Sequence, residues 1–519
     1  MQQGEARKID SVRKRYLVTL VSNAIALLSR LVTAGVVPRA LGPKELGDFG
    51  FLSRVGTSFM QLFNLETSSA FFNYNSKYEK TGEAVKLYSL WLAAQLVISV
   101  ILVFLAAAAG ITSWIWPSQE LKYIVWIIVF SWVLLLSSTA KQLSDSKGYT
   151  SLAQIINLAI SLINIAILVI FAVTGMLNLG RYIIIQTLSS AAIAISIIYF
   201  IIIPHRDIYW DGFLRGKVRD ILKYFYDFCH PLVTLVIVGF AFSYLDRFFL
   251  QKFFGSVEQG YFHIASSWAA VATIFTSSIL SIYKREMANS LGSSNDTRAS
   301  EIFSRYLKMM YFLTVIMSVF LAFHAKELLV LIAGKEFEAA WPVVAIMAFY
   351  PALQVYGQLG GAAFLASERT VLYRNISIVS KLLGIPLCYF LLAPAGMAIP
   401  GLGLGAIGLA LKTVLWSLIV TQVYLIYNCR FFKVSASMLW RHQLNCIALL
   451  SFIMFLLKMI AGLLLKGDGT FFNVMRLSVE IPIYFIAAGA AVWFFPDLSG
   501  IQRHEIISLF TRIRTRGIL

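Results

Sequence analysis

The sequence predicts an all-α integral membrane protein of about fourteen transmembrane helices, arranged as two pseudo-symmetric six-helix lobes around a central cavity plus two C-terminal helices. Three observations predict it. Apolar runs of about 20 residues, the length that crosses a bilayer core of about 30 Å, recur from end to end. Lysine and arginine crowd into alternate connections. A glycine-bearing motif that follows the first run returns after the seventh. The composition agrees: of 519 residues 59% are hydrophobic and 13% charged, with mean hydropathy +0.76, where soluble domains are about one quarter charged.

The runs fall at 16–38, 46–72, 88–110, 121–140, 150–174, 181–203, 228–250, 259–283, 306–333, 341–366, 371–393, 403–428, 443–465 and 471–495. Connections between them are short, and the longest, 204–227 and 284–305, are basic and polar. With residue 1 placed in the cytoplasm, 28 of the 44 Lys and Arg lie in inside segments. The outside loops hold six: Arg39, Lys44, Arg181, Lys252, Lys335 and Lys466. One miscounted span would invert the alternation downstream, so the bias supports an even number of helices with both termini cytoplasmic. The expected location is the cell inner membrane, multi-pass. The first run is longer than a signal-peptide core and lacks a small-residue cleavage site, so it is expected to remain as span one.

The net charge of +18 then reads as basic loops that fix topology and sit on anionic lipid, with membrane lipids and no nucleic acid as partners. Cys229, Cys388, Cys429 and Cys446 are isolated, so neither a disulfide framework nor a metal site is expected.

After span one the chain reads Arg39-Ala-Leu-Gly42-Pro-Lys-Glu45-Leu-Gly47-Asp-Phe49. After span seven it reads Lys252-Phe-Phe-Gly255-Ser-Val-Glu258-Gln-Gly260-Tyr-Phe262, with Gly, Glu, Gly and Phe at a constant offset of 213. A second echo pairs Leu143–Lys147 with Leu365–Arg369. Six helices separate the copies, so both share one membrane orientation, as in transporters built from parallel repeats. The expected organisation is a basic N-terminus (1–15), an N-lobe (16–222), a C-lobe (223–428), helices 13–14 (429–495) and a basic tail (496–519).

Polar residues inside the runs mark candidate sites, because a Lys or Arg at mid-membrane costs about 2.5–3.5 kcal/mol on insertion scales. Asn23 and Arg30 lie in span one, Arg54 and Gln61 in span two. Arg30 and Arg54 each lie eight residues from the outer end of their span, about 12 Å deep at 1.5 Å per residue. Two cations at one depth are reasonable beside a wet cavity that receives an anion; snorkelling or pairing with Asp48 or Glu66 is the alternative. Lys381 and Lys412 lie near the middle of spans eleven and twelve, with no carboxylate in either run, which favours a hydrated lumen. Asp246 and Arg247 are near the outer end of span seven, where substrate contact and a local ion pair are both open. Tyr350, Gln354 and Gln358 form an i, i+4, i+8 stripe for sugar hydroxyls or for neighbouring helices. Glu66, Asp48 and Asp246 are the candidates for carrying a coupling ion. Lys458, Arg476 and Glu480 mark the last two spans, where a membrane-edge salt bridge is expected. Gly403-Leu-Gly405-Ala-Ile-Gly408 matches a dinucleotide fingerprint but opens a membrane helix without a preceding strand, so close helix packing is the better reading.

The segment Pro38–Phe49 resembles the first-loop motif of the polysaccharide-export and O-antigen flippases of the multidrug/oligosaccharidyl-lipid/polysaccharide superfamily. Leu245-Asp246-Arg247-Phe-Phe-Leu250 through Gly260-Tyr-Phe262 looks like their seventh-helix signature; Trp341-Pro342, Gly360 to Arg369 and Gly405-Ala-Ile-Gly408 resemble their tenth to twelfth helices. The resemblance implies two six-helix bundles with a V-shaped cavity. It implies transport, not catalysis, of a polyprenyl-diphosphate-linked oligosaccharide from the cytoplasmic to the outer leaflet by alternating access. Arg30, Arg54, Lys381, Lys412 and Arg247 would hold the diphosphate; Asn23, Gln61, Tyr350, Gln354 and Gln358 would line the sugar path. No cofactor is expected beyond a coupling proton or sodium ion, and a polysaccharide polymerase and chain-length regulator are candidate partners. A drug or cation antiporter or a peptidoglycan-precursor flippase of the same superfamily is the nearest alternative. A membrane glycosyltransferase or polymerase is disfavoured by the short outside loops.

Overall fold

The computed structural model describes residues 12–78, 81–204, 218–293, 295–465, 467 and 469–500, and every regular element among them is helical. They fall into two compact units that meet in sequence at Gly260 and Tyr261. In the first lie α1 (Val12–Asn64), α2 (Thr67–Lys77), α3 (Gly82–Ala108), α4 (Thr112–Ile115), α5 (Leu121–Ser146), α6 (Thr150–Val173), α7 (Leu179–Ile197), α8 (Val218–Cys229) and the first arm of α9 (Val233–Gly292). The second holds the rest of α9, then α10 (Asp296–Phe323), α11 (Ala325–Ile332), α12 (Trp341–Met347), α13 (Tyr350–Ala366), α14 (Thr370–Leu392), α15 (Gly405–Phe432), α16 (Ala436–Leu464), α17 (Thr470–Phe494) and α18 (Pro496–Ser499).

Eleven helical segments among the described residues are long and apolar enough to cross a membrane, against fourteen expected. The difference falls at two bent helices. Expected spans one and two lie on the two arms of α1, bent at Gly42, and spans seven and eight lie on those of α9, bent at Gly255. Span two also stops earlier than its apolar run. Leu65 and Glu66 both take left-handed backbone (φ 46° and 62°) between α1 and α2, a conformation costing an ordinary residue about 1–2 kcal/mol.

Each unit has its own apolar interior. Phe71 stacks on Tyr88 at 4.3 Å in the first, beside Ile197 and Ile201. In the second, Phe303, Tyr311, Tyr356 and Tyr484 are fully buried. Large apolar side chains on the outer faces stay exposed, among them Leu90, Phe104, Leu188, Leu464 and Ile486. Contiguous apolar exposure on helices of this length belongs in hydrocarbon, where only closed backbone hydrogen bonding is tolerated.

The two internal echoes carry the same backbone geometry. Gly42 (φ 69°, ψ 174°) and Gly255 (φ 79°, ψ −167°) bend their helices alike, a conformation that glycine adopts without steric cost. The second echo holds as a tight turn with its register displaced. Amides of Gly148 and Tyr149 donate to the carbonyls of Asp145 and Ser144; those of Glu368 and Arg369 donate to Leu365 and Phe364. The equivalent residues are therefore Gly148 and Glu368, 220 positions apart, both with positive φ. Pairing Leu143 with Leu365 is off by two residues, because capping amides and not side-chain identities close the turn.

The last two long helices belong to the second unit and are bound by charges. Glu480 on α17 lies 3.0 Å from His324 Nε2 at the end of α10, with both side chains at most 3% exposed. Lys458 on α16 reaches Glu327 at 3.0 Å and donates to the Phe323 carbonyl at 2.6 Å. Arg476 donates to the carbonyls of Leu465 and Gly467, bracing the α16–α17 connection. Glu480 thus departs from the expected membrane-edge bridge, since its partner sits inside the bundle. Removing the carboxylate leaves the buried His324 ring without its polar neighbour, so Glu480→Ala is expected to destabilise the protein by about 1–3 kcal/mol. Thermal unfolding in detergent checks this; a midpoint equal to wild type would show that the pair does not anchor α17.

Candidate functional site

The repeated motif explains how polar residues assemble in the first unit. Beyond the bend at Gly42, α1 places Gly47 where an added Cβ would lie 1.7 Å from the Ser256 carbonyl oxygen. Beyond the bend at Gly255, α9 places Gly260 where a Cβ would lie 2.0 Å from the Pro43 carbonyl oxygen. The contact is reciprocal: 47 and 260, like 43 and 256, are 213 residues apart. Backbone meets backbone here because neither glycine interposes a side chain, as at close helix crossings in lipid.

A chain of hydrogen bonds surrounds this contact. Asp48 accepts from Gln119 Nε2 at 2.7 Å and, by a short bond, from the Ser256 hydroxyl. Gln251 donates to Ser256 Oγ at 3.1 Å. Glu45 accepts from the Leu179 amide at 2.7 Å, so the motif's carboxylate caps the N-terminus of α7, where negative charge is favoured.

Two guanidinium groups flank this contact, Arg54 six residues beyond Asp48 on α1 and Arg247 nine residues before Ser256 on α9, ahead of its bend. Arg54 is exposed and donates to Ser243 Oγ at 3.3 Å. Arg247 donates to Gln259 Oε1 at 3.2 Å, and Gln259 returns a bond to the Arg247 carbonyl at 2.6 Å. The two cations are close enough for their charges to interact, with Asp246 also in range. Tyr244, between them in sequence, stacks on Phe240 and Phe248, donates to the Ile115 carbonyl at 2.9 Å, and meets Phe59. Gln61 is exposed two turns beyond Arg54.

Glu66 stands at the break between α1 and α2. Its carboxylate accepts from Ser69 Oγ at 2.7 Å. Beside it Asn64 donates to Ser68 and accepts from Thr67 (2.6 Å) and Tyr88 (3.1 Å). A polar knot at a helix break inside an apolar run is where transporters expose backbone to ions.

In the second unit, Lys381 on α14 is half-buried, whereas Lys412 on the adjacent α15 is only 1% exposed. Tyr350, Gln354 and Gln358 are half-buried along α13. On the same helix pair Arg369 bonds Asn428 at 2.6 Å and packs over Phe364 and Phe431, closing the α13–α14 turn onto α15. The side chains of Asn23 and Arg30 lie outside the described residues. The sequence reading passed over Ser243, Gln259, Gln119 and Ser256, of which Gln259 and Ser256 sit within the repeated motif.

Comparison with known proteins now bears on the arrangement. A family model described as "Polysaccharide biosynthesis protein" matches residues 36–342, more than half the chain. The chain belongs to this family. No curated protein sequence matches it. Among solved structures, the lipid II flippase MurJ in an inward closed conformation superposes with TM-score 0.68 at 16% identity, over 93% of this chain and 99% of that one. An inward-facing multidrug-resistance transporter of the MATE family, MOP superfamily, gives TM-score 0.59 at 13% identity, over 81% and 100%. A MOP-superfamily transporter from Pyrococcus furiosus with reverse polarity of its binding pocket gives 0.51 at 14%, over 81% and 95%. The chain therefore has the all-α fold that these structures share.

The close approach makes a sharp prediction. Gly47→Ala and Gly260→Ala must each separate the two backbones, and both are expected to lower the thermal midpoint. Gly489→Ala meets nothing within 4 Å on α17 and should be neutral or stabilising, by up to about 1 kcal/mol. Equal midpoints for all three variants would show that the contact contributes nothing.

Proposed function

We propose that this protein is a flippase that moves a polyprenyl-diphosphate-linked oligosaccharide from the cytoplasmic to the outer leaflet of the cell membrane by alternating access. One observation carries the reading: Arg54, on a membrane-spanning arm of α1, is exposed and bonded to a serine hydroxyl instead of a carboxylate. A cation held by a neutral partner keeps its charge for a ligand, and guanidinium suits a phosphate because its donors match pairs of oxygens. Arg247, which bonds the Gln259 amide and has Asp246 beside it, stands near enough to share the electrostatics of that site.

The physics of the substrate sets what the protein supplies. A diphosphate and sugars cannot enter hydrocarbon unpaired, while the prenyl tail can stay in lipid. The protein needs a polar basic path, and a reaction centre is not required. Lys381 is a further candidate on that path, Gln61, Tyr350, Gln354 and Gln358 are candidates for the sugars, and Arg30 and Asn23 complete the proposed lining of span one. Lys412, being buried, supports the reading less than Lys381 does. A proton or sodium ion would drive transport, and Glu66 is favoured over Asp48 and Asp246 because it sits at a helix break. Both termini are assigned to the cytoplasm on the positive-inside pattern. A polymerase and chain-length regulator would take up the product.

Alternating access requires the contact around Asp48 and Ser256 to open. With Asp48→Cys and Ser256→Cys combined, oxidation should reduce translocation of labelled lipid-linked oligosaccharide in proteoliposomes to background, and reduction should restore it; the four native cysteines are buried. Undiminished flipping by the cross-linked protein would refute this gate. In the same assay Arg54→Ala should slow translocation about tenfold or more, the loss of a charge-assisted hydrogen bond of about 1.5–3 kcal/mol. If wild type moves no lipid-linked sugar at all, the functional reading fails.

A further inference from the structure

The first unit contains a cavity of about 380 Å³. Phe59 and Phe63 on α1, Val103 and Ala106 on α3, Trp116 in the α3–α5 connection and Ile128 on α5 form most of its wall. The one hydroxyl there, Ser99, already donates to its own helix at the Gln95 carbonyl, 2.6 Å away. With that hydroxyl occupied, the lining is almost wholly apolar and suits hydrocarbon. Leu102 and Leu105 line it while remaining 46% and 59% exposed, so it opens on the lipid-facing side of α3.

Two features distinguish it from a packing defect. Phe59 in its wall meets Trp116, Phe240 and Tyr244 at centroid distances of 5.7, 5.0 and 6.2 Å. This aromatic partition joins the cavity to the stretch of α9 carrying Ser243 and Arg247, where Arg54 is bound. Second, Trp116 is 4% exposed and its Nε1–H has no hydrogen-bond partner. A buried N–H of this kind is destabilising unless an acceptor reaches it. A hydrocarbon chain cannot supply one, but an oxygen at the head of the chain can. Cations beyond the partition, an unsatisfied donor in the wall and an almost wholly apolar interior open to lipid together specify an anionic amphiphile.

We propose that this cavity holds the isoprene units nearest the diphosphate of the lipid-linked substrate. The assignment rests on the flippase reading above and adds a chain-binding place, in the first unit, to the cationic head site. Its size is suitable: a cavity of about 150 Å³ takes benzene, so 380 Å³ takes about fifteen carbons, or three isoprene units. On the proposed topology the end of α3 that lines the cavity lies in the outer leaflet, where the chain would rest after the head has crossed.

Farnesyl diphosphate bearing a diazirine tests this directly on the full-length protein in phosphatidylcholine nanodiscs. After irradiation, label is expected on peptides containing Phe59–Phe63 and Ser99–Trp116. Excess farnesyl diphosphate should compete about tenfold better than phosphatidylglycerol. Ala106→Phe, which fills the cavity, should cut labelling about tenfold; Ser99→Leu, a smaller filling change, keeps the test valid should Ala106→Phe fail to fold. Equal competition by phosphatidylglycerol would assign the cavity to a bulk-lipid chain and overturn the proposal. Label spread over exposed faces, or unchanged in a folded filling variant, would overturn it too. Wild-type translocation measured in parallel separates the two claims: flipping without cavity labelling removes this site alone, and specific labelling without flipping removes the flippase reading alone.

Discussion

The approach of two backbones at Gly47 and Gly260 is the constraint on which the polar architecture of the first unit depends. In hydrocarbon no hydrophobic force draws helices together, so association relies on close van der Waals fit and on hydrogen bonds between the surfaces. Both operate here. Glycine lets the segments after the two bends touch through carbonyl oxygens, and that touch sets Ser256 against Asp48 and Gln251. Arg54 and Arg247 inherit their placement from the same two helices. The bend and the contact use different glycines of one motif, the first for backbone freedom and the second for lack of bulk.

Charge is distributed by the same economy. Carboxylates near the contact are occupied: Asp48 accepts from Gln119 and Ser256, and Glu45 caps α7. Arg54 is held by Ser243, which fixes its orientation without neutralising its charge, and Arg247 bonds Gln259 with Asp246 in range. In the second unit the pattern reverses at α16 and α17, where Lys458 meets Glu327 and Glu480 meets His324. Those charges hold helices together and are closed to a ligand. A membrane protein thus uses one set of ionisable residues as joints and another as a lining, and the partner tells which is which.

Much of this was legible in the sequence. Apolar runs located the helices because bilayer thickness fixes their length, and the glycine repeat located both bends because few residues other than glycine adopt that backbone. Other features left no local trace. Leu65 and Glu66 are good helix formers, so their left-handed break is imposed by the surrounding network of Asn64, Thr67 and Tyr88. Lys381 and Lys412 look alike as single cations in apolar runs, yet one is half-buried and the other is enclosed. Ser243, the partner of Arg54, lies 189 residues away in sequence, and no periodicity connects them. The turn echo was found but misaligned, since leucine and a basic residue recur near the turn without closing it.

The Glu45 carboxylate has a consequence for how the first unit can deform. It is covalently part of the bent segment of α1 and is bonded to the first amide of α7. Any rotation of the segment about Gly42 must either drag the head of α7 along or strip that amide of its carboxylate acceptor. The five-residue connector Thr174–Asn178, although at the surface, is therefore not a free tether. It behaves as a short crank between α6 and α7, and lengthening it would uncouple the fifth expected span from an α7 that the bend steers.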